Sequence, residues 1–270
     1  MKPANRVAHA LTIAGSDSGG GAGIQADLKT FAALGVYGAS VLTAVTAQNT
    51  LGVTAVQEID TDVIAAQIDA VMSDIGADAA KTGMLSSAPI IGAVAAGIER
   101  HGIAKLVVDP VMVAASGARL LREDAVVTLK SRLLPLALVA TPNIPEAEAL
   151  LGVHVVSPDD MKDAARAIAA LGPRNVIVKG GHRRAAQAVD ILFDGKSFTE
   201  FSADWVDTRN NHGTGCTFSA AITAGLAKGL ALKEAVTRAK RYVTGALRAA
   251  YPVGSGHGPL DHMHEFRTAR

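Results

Sequence analysis

Apolar residues fall in short runs that alternate with stretches of helical spacing. Residues 7–14 form one such run, stopped by Gly15, and predict a buried strand. Residues 15–23 are glycine-rich and predict a loop. Apolar positions then recur at Ile24, Leu28, Phe31 and Leu34, a helix closed by Gly35, and residues 37–46 predict a second strand. Strand, glycine loop, helix, strand is a βαβ unit, whose crossover is expected to be right-handed. The alternation continues with strands over 53–59, 77–82, 105–109, 136–141 and 175–179. Helices are predicted over 62–74, 88–100, 123–134, 145–151 and 158–171, the last two with proline near the start, where it is tolerated. Runs 188–193 and 197–201 then flank Asp194-Gly195, the turn chemistry of a hairpin. Helices over 215–228 and 232–250 close the chain. No repeat or linker interrupts the pattern. It predicts one α/β domain over residues 1–270, a three-layer α/β/α arrangement with a mainly parallel central sheet and an antiparallel edge hairpin.

Composition narrows the function classes. The chain is 49% hydrophobic but only 4% aromatic, which suits a sheet covered on both faces. Lys plus Arg is 26 against 25 for Asp plus Glu, so no basic footprint for nucleic acid exists; Arg183-Arg184 and Lys240-Arg241 are too short to supply one. A single cysteine, Cys216, excludes an intrachain disulfide and favours a reducing compartment. The first apolar stretch is broken by His9 and Thr12 and reads as a strand, not a signal peptide, and no run is long enough to cross a bilayer. A cytoplasmic protein without membrane or nucleic-acid partners is expected.

The chemistry sits where the predicted strands end. Gln48, Asp109, Asn143, Lys179 and the glycine-rich loop all fall at or just after carboxyl ends of strands, the edge where open α/β sheets bind ligands. Any one of them alone reads as a turn residue or cap; together they read as a site. Asn211-His212-Gly213-Thr214-Gly215-Cys216-Thr217 opens a helix rich in small residues. Glycines there let successive N–H groups face one anion, and the helix dipole adds to the effect. The bland reading of the same run is a glycine N-cap. Gly21-Ala22-Gly23-Ile24-Gln25-Ala26 fits a dinucleotide fingerprint, but no Asp or Glu lies between Leu28 and Gln57, where the ribose-binding acid belongs. Gly195-Lys196-Ser197 mimics the tail of a P-loop, yet the position of that motif's first glycine is Asp190. Cys216 reads either as an inert core cysteine or, at a helix start, as a thiol of lowered pKa. His257, His262 and His264 read as a solvated tail rather than a metal site.

Taken in order, these motifs resemble a known family. Residues 14–18 and 23–31 (Ala14-Gly15-Ser16-Asp17-Ser18 and the run opening at Gly23-Ile24-Gln25-Ala26-Asp27) look like the opening of the hydroxymethylpyrimidine and hydroxymethylpyrimidine-phosphate kinases of thiamine biosynthesis. Thr46-Ala47-Gln48-Asn49-Thr50, Lys81-Thr82-Gly83-Met84-Leu85, Val108-Asp109-Pro110-Val111-Met112, Thr141-Pro142-Asn143-Ile144-Pro145-Glu146, Val178-Lys179-Gly180-Gly181-His182, the Gly213 run and Gly256-His257-Gly258-Pro259-Leu260 are similar to theirs too. The resemblance implies a ribokinase-like fold, ATP and Mg2+ as cofactors without a P-loop, two successive phosphorylations of the pyrimidine, and a homodimer. It implies that Gln48 reads the aminopyrimidine edge and that Gly15, Ala22, Asp27, Met84 and Val111 line the pyrimidine pocket. Asn143 and Glu146 would hold magnesium through water, Asp109 and Lys179 would lie near the ATP phosphates, and Gly213, Thr214, Gly215 and Cys216 would form the catalytic anion hole. Gly20 departs slightly from the glycine run of many relatives. A pyridoxal kinase of the same superfamily and an idle pyrimidine-binding protein remain as alternatives.

Overall fold

The computed structural model describes residues 6–112, 122–181 and 186–267; His182 and the Arg183-Arg184 pair lie outside them. The strands are β1 (His9–Asp17), β2 (Tyr37–Gln48), β3 (Val53–Glu58), β4 (Ala79–Thr82), β5 (Leu106–Val108), β6 (Val139–Ala140), β7 (Val176–Val178), β8 (Gln187–Phe193) and β9 (Phe198–Asp204). The α-helices are α1 (Gly23–Ala33), α2 (Thr61–Asp74), α3 (Ala88–Arg100), α4 (Glu123–Thr128), α5 (Ile144–Leu151), α6 (Pro158–Ala169), α7 (Thr214–Ala227) and α8 (Leu232–Arg248). All nine strands join one sheet in the order β3-β2-β1-β4-β5-β6-β7-β8-β9. The central strands, from β2 through β7, pair in parallel, and β3, β8 and β9 are antiparallel at the two edges.

Side chains alternate across this sheet, as period-two strands require. Leu11, Ile13, Leu106, Val108 and Val178 pack with α2, α3, α5 and α6 on one face. Ala10, Val107, Val139, Ile177 and Leu192 pack with α1, α7 and α8 on the other. Both faces are covered, so the parallel strands read as continuous apolar runs. The chain moves from β1 outward to β2, then returns across β1 to β4. That reversal opens a crevice at the carboxyl ends of β1 and β4.

Four expectations are corrected. The first strand does not stop at residue 14 but runs to Asp17, through a register shift between Ala14 and Ser16 that lets Ser16 and Asp17 pair with Val45 and Thr46 of the long β2. A bulge at Gly15 bends the strand without ending it. The helix expected over 123–134 is α4 followed by a π-helical turn (Leu129–Leu133) and a 3-10 turn (Leu134–Leu136). Pro135 in that last turn has no N–H to continue an α-helix. The strand expected over 136–141 shrinks to the two residues of β6 because this turn occupies its start. Two of the C-terminal histidines are not in a solvated tail: His262 is 4% exposed, and the His264 ring packs 5.1 Å from that of Tyr242, whereas His257 is exposed as expected. No helix among the described residues is long and apolar enough to cross a membrane.

Candidate active site

Asp109 follows β5, where its backbone N–H still bonds Thr82 of β4. Lys179 follows β7 and is bridged to Asn143, the cap of α5. The sheet therefore sets the spacing of the charged groups at its carboxyl edge. The Lys179 ammonium lies 2.8 Å from Asp109 Oδ1 and 3.8 Å from Glu146 Oε2. Thr141 and Ser219 donate to the two oxygens of Asp109, each at 3.2 Å. Burial acts to raise the Asp109 carboxyl, but Lys179 and then Lys81 outweigh it and hold the group below the usual carboxylate range. Burial likewise acts to lower Lys179, and Asp109 and Glu146 hold it instead above the ordinary lysine value. Glu146 is pushed up to about 7, first by burial, partly offset by Lys179, and further by the negative charge of Asp109. Two carboxyls thus share one ammonium, and the second is left without full compensation.

Asn143 and Glu146 hold each other locally. The Asn143 side chain accepts from the Glu146 N–H, and Glu146 Oε2 accepts from the Asn143 N–H, each at 2.8 Å. This is a capping box, with Pro145 in the first turn. It fixes the loop Thr141-Pro142-Asn143 against the sheet edge.

Helix α7 points its N-terminus at the same place. Gly213 caps it at φ +84, and a Cβ there would run into the Gly21 carbonyl oxygen. Only glycine combines that left-handed backbone with that approach. The Gly215 and Cys216 amides have no hydrogen bond to the described residues, whereas Thr217 N–H already bonds the Gly213 carbonyl. A Cβ built on Gly215 would sit 3.3 Å from the Lys179 ammonium and 3.8 Å from Asp109 Oδ2. Amides without a partner among the described residues, a helix N-terminus and an ammonium thus lie close together, an arrangement suited to an anion. Below it, Thr217 Oγ1 lies 3.0 Å from His262 Nε2. Burial pushes His262 down to about 4, so a neutral ring braces the first turn of α7. The Cys216 thiol is pushed up to about 12 by burial, against the pull of Lys81. This reverses the lowering expected from its place at a helix start, because loss of water outweighs the helix dipole.

The third component lies around β1 and β2. Asp17 Oδ1 accepts from Gly19 N–H at 2.8 Å, and Oδ2 accepts from Gly21 at 3.0 Å and Ala22 at 2.8 Å. His212 Nε2 is 2.9 Å from Asp17 Oδ2 and 3.1 Å from Gln48 Nε2. Burial acts to raise Asp17, but bonds from His212, Ala22 and Gly19 hold it below the usual carboxylate range. Beneath this, Lys81 in β4 is fully buried, 2.8 Å from Asp27 Oδ1, while Thr12 donates to Asp27 Oδ2 at 2.6 Å. Burial acts to lower Lys81, but Asp27, and then Cys216 and Asp109, hold it above its ordinary value.

The expected pocket residues are distributed unevenly. Gly15 touches Met84 closely: a Cβ on Gly15 would come within 2.6 Å of Met84 Cε. Val111 follows Asp109 and is half-buried, and Ala22 lies on the Asp17 loop. Asp27 is 0% exposed with both oxygens engaged, so it underlies the crevice and offers no surface to a ligand. Asp17, Lys81, Thr141, His212 and Ser219 join the site, although the sequence patterns assigned none of them an individual role. Lys81 left a readable signal, a charged residue within a short strand buried throughout, Ala79-Ala80-Lys81-Thr82.

Comparison with known proteins follows the same line. Residues 17–261 match the model of the family described as phosphomethylpyrimidine kinase. A hydroxymethylpyrimidine/phosphomethylpyrimidine kinase of Rhizobium meliloti is 55% identical over 260 residues, covering 95% of this chain and 97% of that protein. A thiamine biosynthesis bifunctional protein of Geobacter sulfurreducens is 55% identical over 253 residues, covering 94% of this chain; this chain spans only 52% of that longer protein. A pyridoxal kinase of Bacillus subtilis, solved as an ADP complex, superimposes with a TM-score of 0.91 at 42% identity, over 97% of this chain and 100% of the other. The pyridoxal kinase of Staphylococcus aureus, solved with AMP-PCP and pyridoxal, gives a TM-score of 0.90 at 39% identity, over 97% of this chain and 96% of the other.

Proposed function

Because the chain belongs to the phosphomethylpyrimidine kinase family, we propose that it catalyses both ATP-dependent phosphorylations of the thiamine pyrimidine. The first acceptor is the hydroxymethyl group of 4-amino-5-hydroxymethyl-2-methylpyrimidine. The second is the resulting monophosphate, which becomes the diphosphate used in thiamine biosynthesis. The observation that carries this reading is the pair of open amides at Gly215 and Cys216 beside the Lys179 ammonium. A protein that only bound a pyrimidine would have no use for such an anion hole. ATP-dependent turnover of the free pyrimidine and of its monophosphate tests it; absence of phosphate transfer to both overturns it.

The residues divide the work by geometry. The Gly213, Thr214, Gly215 and Cys216 backbone cradles the transferring phosphoryl group, and Lys179 supplies positive charge at its edge. Loose phosphoryl transfer needs mainly such positioning and charge stabilisation. Asp109 holds Lys179 in place. Gln48 reads the aminopyrimidine edge, with Gly15, Ala22, Met84 and Val111 around the ring, and Asp27 keeps Lys81 beneath it. Magnesium fits this edge. Glu146 is a buried carboxyl lacking full compensation, and the donors nearby are all oxygens. Among the described residues no cluster exists for direct chelation, which suits a hard cation that keeps part of its water shell. Asn143 and Glu146 would hold that hydrated ion, which supplies charge neutralisation between phosphates. Cys216 keeps its proton at neutral pH and acts as a polar neighbour of the acceptor rather than a resting thiolate base.

A homodimer in the cytoplasm completes the reading; the lone cysteine suits a reducing compartment. The pyridoxal kinases that superimpose on this chain favour a second reading, phosphorylation of pyridoxal's hydroxymethyl group. Comparing both substrates at equal ATP decides between them. Gln48→Ala is expected to raise KM for the pyrimidine with little change in kcat; an unchanged KM overturns the role given to Gln48.

A further inference from the structure

The hydrogens around His212 decide which way the Gln48 amide turns. Asp17 is an ionised acceptor, already bonded by three backbone N–H groups, so His212 Nε2 at 2.9 Å must carry a hydrogen and donate. An Nε2–H cannot also accept from an amide NH2, yet Gln48 Nε2 stands 3.1 Å from it. On the other side, Thr46 Oγ1 has one proton, and it goes to the Ser16 carbonyl at 2.8 Å. Thr46 therefore has none left for Gln48 Oε1 at 3.2 Å. Turning the amide over removes both clashes: Oε1 shares the single Nε2 hydrogen of His212 with Asp17 Oδ2 in a three-centre bond, and the amide nitrogen donates to Thr46 Oγ1. Oxygen and nitrogen of an amide are exchangeable on geometry alone, and the hydrogen-bond network decides between them.

We infer that His212 is a specificity-determining positioning residue: with Thr46 it locks the Gln48 amide so that Oε1 faces His212 and Nε2 donates to Thr46. One lone pair on Oε1 and one hydrogen on Nε2 then remain for a ligand. That pair accepts from an exocyclic amino group and donates to the ring nitrogen beside it. A heterocycle with the reverse order, a ring N–H beside a carbonyl, meets donor against donor and acceptor against acceptor. The His212 ring cannot drift from this task. A Cβ on Gly21 would meet its Cδ2 at 2.6 Å and Pro259 Cβ at 3.2 Å, so the ring lies close against the Gly21 backbone. Its backbone N–H bonds the Gly258 carbonyl at 3.0 Å. The residue also stands directly before Gly213, so the group that orients the pyrimidine reader opens the anion loop.

The inference rests on the reading of Gln48 as the pyrimidine contact, and the test separates the two. Competitive inhibition constants are measured for 4-amino-2,5-dimethylpyrimidine and its 4-oxo counterpart, which lack the reacting hydroxyl. Their ratio cancels any general damage to the neighbouring anion loop. The ratio is expected to fall by about tenfold in His212→Ala, since a site that hydrogen-bonds its ligand discriminates strongly only while its polar groups are fixed. His212→Gln, whose amide donor reaches a similar distance, is expected to keep the wild-type ratio. Thr46→Val removes the second anchor and is expected to lower the ratio as well; it carries the test if His212→Ala does not fold. A ratio unchanged in His212→Ala or in Thr46→Val, or lost equally in His212→Gln, overturns the inference. If instead Gln48→Ala leaves both constants unchanged, the underlying reading of Gln48 fails.

Discussion

Two glycine-rich loops meet in the crevice, and they come to opposite ends. The loop after β1 carries Gly19, Gly20 and Gly21 and runs into Gly23 at the start of α1; Gly213 caps α7, and Gly215 lies in its first turn. Both free the backbone to gather N–H groups around an anion. In the first, the N–H groups of Gly19, Gly21 and Ala22 already surround the chain's own Asp17 carboxylate. In the second, the Gly215 and Cys216 amides have no partner among the described residues, and Lys179 lies beside Gly215. The nearest anion decides the outcome: one loop closes on a residue two positions before it, and the other is left for a ligand. Glycine content marks a loop able to bind charge; it does not say whose charge.

The contrast breaks most severely at Gly213. Gly213→Ala forces a side chain into a φ of +84 and against the Gly21 carbonyl oxygen, displacing the open amides. Turnover on both substrates is expected to fall about 100-fold or more, the scale of losing an oxyanion-type donor. Steady-state kinetics checks it, and a loss under tenfold contradicts the role assigned to this loop. Emptying the filled loop has the other signature. Asp17→Ala strips the acceptor from three amides and His212, and is expected to cost about 3 kcal/mol of stability by urea denaturation, with KM for the pyrimidine raised more than kcat is lowered.

Acid sharpens the same distinction. Asp17 in the folded protein titrates below its unfolded value of 3.8. Its contribution is therefore complete above that value and is lost as pH falls through the lower, folded one. Asp17→Asn should flatten the loss of thermal stability below pH ~4 relative to wild type, as followed by circular dichroism. At the open loop a smaller effect separates the two half-reactions. Cys216→Ala is expected to slow phosphorylation of the free alcohol about tenfold and of the monophosphate about threefold or less, because the thiol sulfur can accept the hydroxyl's hydrogen bond and orient the alcohol, whereas a phosphate oxygen ionised near neutral pH has no hydrogen to give. Equal losses would sink that role. Smallest is Gly20→Ala in the filled loop: its φ of +77 makes a cost of about 1 kcal/mol, visible as a shifted denaturation midpoint, with turnover unchanged within about twofold.

The architecture was readable because hydrophobic period and turn chemistry are local. Strand β4, helix α3 and the hairpin of β8 and β9 follow from runs of a few residues each, and their alternation prescribes a parallel sheet. The reading failed where a distant partner overrode the local signal. Gly15 reads as the end of a strand, yet β2 is long enough to carry β1 on to Asp17. His262 reads as part of a polar tail, yet α7 covers it. The candidate site divides in the same way. Asp109, Asn143, Lys179 and the Gly213 run could be placed from sequence because each ends a strand or opens a helix. Asp17 and His212 are separated by 195 residues, and no local pattern ties a carboxylate to an imidazole across that distance.

The sequence by itself determined the elements, their order and the backbone freedom at the two glycine loops, since these depend on neighbours a few residues apart. Only the tertiary structure decided which loop is filled, that burial pushes the Cys216 thiol up rather than down, and that His212 stands against Gln48. Charge and hydrogen bonding act through space: the crevice brings Asp17 to its own loop, half-buries Cys216 near Lys81, and sets His212 against Gln48.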